Sequence, residues 1–205
     1  LKDEEPAVRK AVVASLTSWR GERAVRALML AISDDDPEVR MLAAEGLART
    51  GMAGAGDALI PLLSDDDLWV RAAAARGLGR LGAGSYGAVL AGHLHEATDI
   101  FLLALVDVLG ATGVPEALEP LLALADHEDP EVRKTVLQAL AGYDWPRVRP
   151  TVLARLFDPH WSVRKSAVEL LGRRRDGSTD EALVRLEAED PDASVRQAAR
   201  EALGS

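Results

Sequence analysis

A valine–arginine pair recurs along this chain at Val8-Arg9, Val39-Arg40, Val70-Arg71, Val132-Arg133, Val163-Arg164 and Val195-Arg196. The steps are 31, 31, 62, 31 and 32 residues, so one member is missing at 101–102, where Phe101-Leu102 stands. A period near 31 implies stacked supersecondary units, each burying its apolar side against its neighbours. The spoiled position is the first pointer to function.

Aligned on the pairs, a second helix in each repeat is expected near 6–18, 37–50, 68–81, 99–111, 130–142, 160–173 and 192–203. Eight residues after each valine position stands a leucine: Leu16, Leu47, Leu78, Leu109, Leu140, Leu171 and Leu203. Small or apolar residues fall four and five places after the valine, as at Ala43-Ala44 and Ala74-Ala75. This spacing makes one buried helical face. Asp36-Pro37 and Asp129-Pro130 read as an N-cap followed by proline in the first turn. Gly51, Gly82 and Gly113 read as stops. First helices are expected near 21–33, 54–64, 84–96, 114–126, 147–157 and 178–189, with Pro61, Pro120 and Pro150 capping or kinking them. No strand signal of useful length appears, so the fold is expected to be all-α.

Composition agrees: hydrophobic residues make up 48% and aromatics only 4%, the profile of helices packed through alanine and leucine. There is no cysteine, which removes disulfides, thiolate metal sites and a cysteine nucleophile. That suits a reducing compartment, and a cytoplasmic protein is the expectation. The net charge of −9 argues against nucleic acid or an anionic membrane as partner. No apolar run approaches a membrane span and no signal-peptide pattern opens the sequence. Residues 1–18 read as the second helix of a pair whose first helix is absent. The chain is therefore expected to be part of a longer protein.

The segments Asp34–Arg40 (DDDPEVR) and His127–Arg133 (HEDPEVR) carry a family resemblance that extends over the whole chain. The pattern resembles HEAT repeats, in particular short bacterial repeats of the phycobilisome-lyase-like kind. The resemblance implies a right-handed α-α superhelix of about six and a half helix pairs, with the second helices lining its concave face. It also implies a ladder in which the arginine pairs with an acid six residues before the arginine position. Here that acid position holds Asp3, Asp34, Asp65, Glu96, His127, Asp158 and Asp190. Such pairs, worth ~0–1 kcal/mol each when exposed, would align repeats more than glue them. A HEAT array alone says little about function.

In repeat four the arginine is lost, and Ile100 and Leu103 occupy positions that hold Glu131 and Lys134 one repeat later. These lie opposite the leucine ladder. Leu68-Trp69 replaces Pro-Glu at the start of repeat three's second helix, making Trp69 the equivalent of Ile100. Met41, Trp69, Ala72, Ile100 and Leu103 are expected to form an apolar patch rimmed by Glu38, Glu45, Arg76, Asp107, Lys134 and Gln138. An apolar centre with a charged rim and a tryptophan is interface chemistry. The competing reading is a packing variant, with Ile100 and Leu103 covered. Phe101 and Leu102 are expected in the core, Trp161 as a second anchor, and Trp145 in a loop between repeats.

Enzymatic chemistry finds little support. Deoxyhypusine hydroxylase, an enzyme of HEAT type, holds a di-iron centre through repeated His-Glu pairs. His95-Glu96 and His127-Glu128 are two pairs rather than four, and they fall before the second helices. His93 with His95 lacks a third ligand. Arg49, Arg76, Arg80 and Arg173–Arg175 suit helix C-terminal halves better than a phosphate track. The runs Asp34–Asp36 and Asp65–Asp67 read as solvated turns. No phosphate-binding glycine loop, nucleophile elbow or zinc-protease motif occurs. The expectation is a non-enzymatic scaffold binding a protein or peptide, with no cofactor, metal or catalytic residue and with its oligomeric state open. Alternatives are a spacer or dimerising array within a larger protein, and an accessory or lyase-type domain with a small-molecule site.

Overall fold

The computed structural model describes residues 2–19, 21–174 and 180–204. The described residues form helices and turns without a strand, and they divide into two compact units, Leu1–Glu116 and Ala117–Ser205.

The first unit contains α1 (Pro6–Leu16), α2 (Glu22–Ala31), α3 (Pro37–Thr50), α4 (Ala55–Leu59), α5 (Leu68–Gly92) and α6 (Asp99–Thr112). Pro61 sits in a 3-10 turn, Ile60–Ser64, that continues α4. α3 begins where Asp36 accepts hydrogen bonds from the Glu38 and Val39 amides at 2.9 and 3.2 Å, with Pro37 pre-set for the first turn. It ends at Gly51, whose φ of 61° suits a residue without a Cβ. Gly82, at φ 133°, breaks α5 where the repeat pattern expects the second helix of repeat three to stop. α1 packs on α3, α3 on α5, and α5 on α6, so the second helices form one continuous layer in this unit.

The second unit contains α7 (Leu118–Leu124), α8 (Pro130–Leu140), α9 (Trp145–Ala154), α10 (Trp161–Arg174), α11 (Asp180–Glu189) and α12 (Ala193–Gly204). Asp129 caps α8 through the Glu131 amide at 2.8 Å. α10 packs between α8 and α12, and α11 covers α12. Val152, Leu156, Val163, Leu171 and Val195 meet in its core. Arg175, the last of three consecutive arginines, and residues 178–179 of the last expected first helix lie outside the described residues. No helix among the described residues is long and apolar enough to cross a membrane.

The leucine ladder is buried at Leu47, Leu78, Leu109, Leu140 and Leu171, and half-buried at the first and last second helices, at Leu16 and Leu203. Burying one leucine contributes roughly 1.5–3 kcal/mol, so this ladder outweighs any single polar contact in the array.

The arginine ladder has two parts in each rung. Arg40 Nη1 donates to the Asp34 and Asp35 carbonyls of its own repeat at 2.9 and 3.1 Å. Its Nε and Nη2 grip both carboxylate oxygens of Asp65, in the next repeat, at 2.8 and 2.7 Å. Arg9–Asp34 repeats this fork in the first unit, and Arg133–Asp158 and Arg164–Asp190 repeat it in the second. Each of these aspartates also accepts the amide two residues on, as Asp34 does from Asp36 and Asp158 from His160. Burial acts to raise the Asp158 and Asp190 carboxyls, but the guanidinium and amide hydrogen bonds outweigh it and hold both below the usual range.

Candidate interaction surface

Repeat four departs from this scheme at its helix start. Thr98 precedes α6 without a side-chain cap, and Asp99 takes φ 50°, the left-handed region. Among the described residues it is the one non-glycine with positive φ. Phe101 and Leu102 are buried, as the repeat pattern expects, and His93 meets the Phe101 ring edge-on with centroids 6.1 Å apart. An arginine at 102 would have carried its charge toward the turn. Leucine instead turns inward with the core.

The solvent-facing positions around this start are apolar. Trp69, in the first turn of α5, is 57% exposed. Ile100 and Leu103 on α6 are half-buried, as is Met41 on α3. Ala72 is fully buried, contrary to its expected place in the patch. Its single methyl group lies between Trp69 and Arg76, one turn away on either side, and does not reach past them. The apolar stripe therefore passes over Ala72 rather than through it.

Toward the C-terminal ends of the same two helices, Arg76, Gly79 and Arg80 of α5 face Asp107, Val108, Ala111 and Thr112 of α6 across a cleft of about 330 Å³. A Cβ on Gly79 would stand 2.6 Å from Val108, so glycine lets the two helices approach at the cleft floor. Asp107 is exposed at the cleft rim, yet partial desolvation raises its carboxyl above the ordinary value, and the charge of Arg76 works against that rise. Among the described residues neither Arg76 nor Asp107 makes an ion pair. Six of the seven expected partner-binding residues thus belong to the first unit. The seventh, Lys134, lies on α8 in the second, where its Nζ pairs with Glu131 at 2.7 Å.

The other singled-out residues have local roles. Trp161 is 43% exposed and stacks on His160 at 6.0 Å. Trp145 opens α9 rather than filling a loop, and the Arg174 guanidinium lies 5.5 Å from its ring centre. His95 and Glu96 pair at 3.1 Å on an exposed turn. His127 uses Nδ1 to accept the Asp129 amide at 3.1 Å, the turn-closing bond that Asp3, Asp34, Asp65, Asp158 and Asp190 make in their repeats. Among the described residues no three His, Asp or Glu side chains gather where a metal could sit.

The structure adds features absent from the sequence reading. Phe157 is 73% exposed beside a cleft of about 370 Å³ that Leu156, Ala182 and Leu186 also line. Its equivalents are Ser33, Ser64, His95, Asp126 and Glu189, so comparison at that register would have singled it out. Val8 and Val12 on α1, with Trp19 just past its end, form an exposed apolar surface.

The comparisons with known proteins agree with this architecture. YibA of Escherichia coli is 20% identical, with a TM-score of 0.73 over 100% of this chain and 79% of its own. An engineered protein is 20% identical at a TM-score of 0.62, covering 98% of this chain and 65% of its own. A designed armadillo repeat protein is 17% identical at 0.51, over 99% and 95%. At these identities the likeness shows the fold alone. Among curated proteins none matches the chain. The family model for HEAT repeats matches residues 1–79, 25–104, 89–150 and 118–204, end to end in overlapping segments. On that match, laid over paired helices and an arginine–aspartate ladder, the chain belongs to the HEAT-repeat family.

Proposed function

We propose that this HEAT array is a non-enzymatic protein-binding module, and that a peptide or helix of its partner docks on the second helices of repeats three and four. The observation that carries this reading is Trp69. A tryptophan at the start of α5 stands more than half exposed, and α6, which packs on α5, carries the half-buried Ile100 and Leu103. Equivalent positions elsewhere hold Glu38, Glu131 and Lys134, which form ion pairs instead. Exposed apolar surface with a tryptophan at its centre costs solubility, and a partner that covers it recovers that cost.

Arg76 and Asp107 supply polarity at the far end of the same two helices. Both charges lie beside the cleft without an ion pair, so a partner gains by matching them rather than by displacing an existing contact. Met41 extends the apolar stripe onto α3. Lys134, on α8 of the second unit, is left out of the proposed surface.

The test is capture of partners from the source proteome by wild-type protein and by Trp69→Ala combined with Leu103→Asp. Both side chains lie outside the leucine ladder, so the double variant should remain folded by circular dichroism. Loss of a specific partner, with Trp161→Ala retaining it, is the expected outcome. Retention of every partner by the folded double variant would reject the surface.

A further inference from the structure

The ladder fails at one rung inside the first unit. Arg71 follows Val70 as every ladder arginine does, and its Nε donates to the Asp65 carbonyl of its own repeat. In the four complete rungs the remaining guanidinium edge holds an aspartate 25 or 26 residues on. The residue in that place for Arg71 is Glu96. Its side chain is 75% exposed, turned to His95, and makes no contact with Arg71. The second donor of the rung is also unmatched. The amides of Asp36, Asp67, Asp129, His160 and Asp192 are each taken by the side chain two residues earlier. The Thr98 amide has no such acceptor.

We propose that Arg71 and the Thr98 amide form a binding seat for a carboxylate, supplied by an aspartate or glutamate side chain of a partner polypeptide. The chain itself provides the template. Four times it places a carboxylate between a guanidinium fork and a turn amide, at 2.7–2.8 Å in the Arg40, Arg133 and Arg164 forks. Arg71 is half-buried with its Nε on the Asp65 carbonyl, so the Nη1–Nη2 edge is what it offers a carboxylate. Glu96 does not fill the seat: its carboxylate pairs with His95 at 3.1 Å on the exposed turn. A partner acid meets two donors that no other group occupies.

This seat uses residues other than those of the Trp69 stripe and is read by a different experiment. Arginine Nε–Hε and backbone amide resonances of the full chain are followed by NMR during titration with N-acetyl-aspartate N-methylamide. N-acetyl-asparagine N-methylamide is the neutral control. Saturable shifts at Arg71 Nε–Hε and the Thr98 amide are expected from the acid and not from the amide, with Arg9 and Arg40 unmoved. Glu96→Asp, which restores the aspartate rung, should weaken the response at least tenfold, while Glu96→Gln should retain it. Stationary Arg71 and Thr98 signals in both wild type and Glu96→Gln would overturn the proposal. So would equal shifts from acid and amide, or undiminished binding by Glu96→Asp.

Discussion

Repeats two and four both contribute a 14-residue second helix to the first unit, and they hold it in opposite ways. α3 starts on an aspartate cap and a proline, and its Arg40 ties the preceding turn to Asp65 of the next repeat. α6 starts on an uncapped threonine and a left-handed aspartate, and leucine replaces the arginine. Polar order at the repeat edge has been exchanged for apolar surface on the exposed face. The chain stays folded through this exchange because the leucine ladder is common to both helices: Leu47 and Leu109 are each fully buried. Surface chemistry can therefore diverge in one repeat while the stack is maintained by its neighbours.

The largest effect should come from testing that division directly. Leu78→Ala removes a fully buried ladder side chain and should cost about 3 kcal/mol. Leu103→Ala, two residues past the ladder valine position in repeat four, should cost below about 1 kcal/mol. Chemical denaturation of the two variants compares them. Equal losses would mean that Leu103 is core, and the packing-variant reading of repeat four would then be correct.

The next contrast is between rungs. Arg133→Leu leaves Asp158, whose side chain is 1% exposed, with only the Arg155 guanidinium at 3.8 Å, and should cost about 3 kcal/mol. Arg71→Leu strands no carboxylate and should cost about 1 kcal/mol or less, chiefly the bond to the Asp65 carbonyl. Thermal melts of both variants decide whether the ladder stabilises through its ion pairs or through packing of the arginine stems. Similar losses would favour the stems.

The periodicity of 31 was enough to place the second helices: α3 matches its expected span, and α6 extends one residue beyond it. It worked because leucine, alanine and the capped turns repeat at one register, and local and tertiary preferences agree there. The exposed stripe was legible for the same reason, as a deviation from a known register. Two things were not. Ala72 shares the outward register yet is buried, because outwardness is a direction while exposure depends on side-chain length and neighbours. Arg71 reads as an intact ladder member, since its Val-Arg pair is complete. Only the conformation of Glu96 shows that its rung is not. The boundary between Glu116 and Ala117 left no mark in the repeat length either.

A pH titration sharpens the contrast between paired and unpaired acids. Asp34, Asp158 and Asp190 have depressed folded-state values, so their contribution to stability is full above the ordinary carboxylate value of about 4 and is lost as pH falls through the lower folded values. Stability should therefore decline below about pH 4, and the decline should be shallower in Asp158→Asn, which is already destabilised. An unchanged slope in that variant would place the acid sensitivity elsewhere.

Asp107 should behave in the reverse sense and with the smallest amplitude. Its folded value is raised by partial desolvation, so the ionised form is less favourable in the fold than in the unfolded chain. Protonation as pH falls from above the folded value toward the unfolded one should then stabilise the protein. Asp107→Asn should reproduce the direction of that gain at neutral pH, as a small rise in Tm. The same change should weaken partner binding if the carboxylate is retained for recognition rather than for folding. A Tm that falls instead would show that attraction to Arg76 outweighs desolvation. The cleft charges would then be part of the fold's own stabilisation, leaving the Trp69 stripe alone to carry the interface.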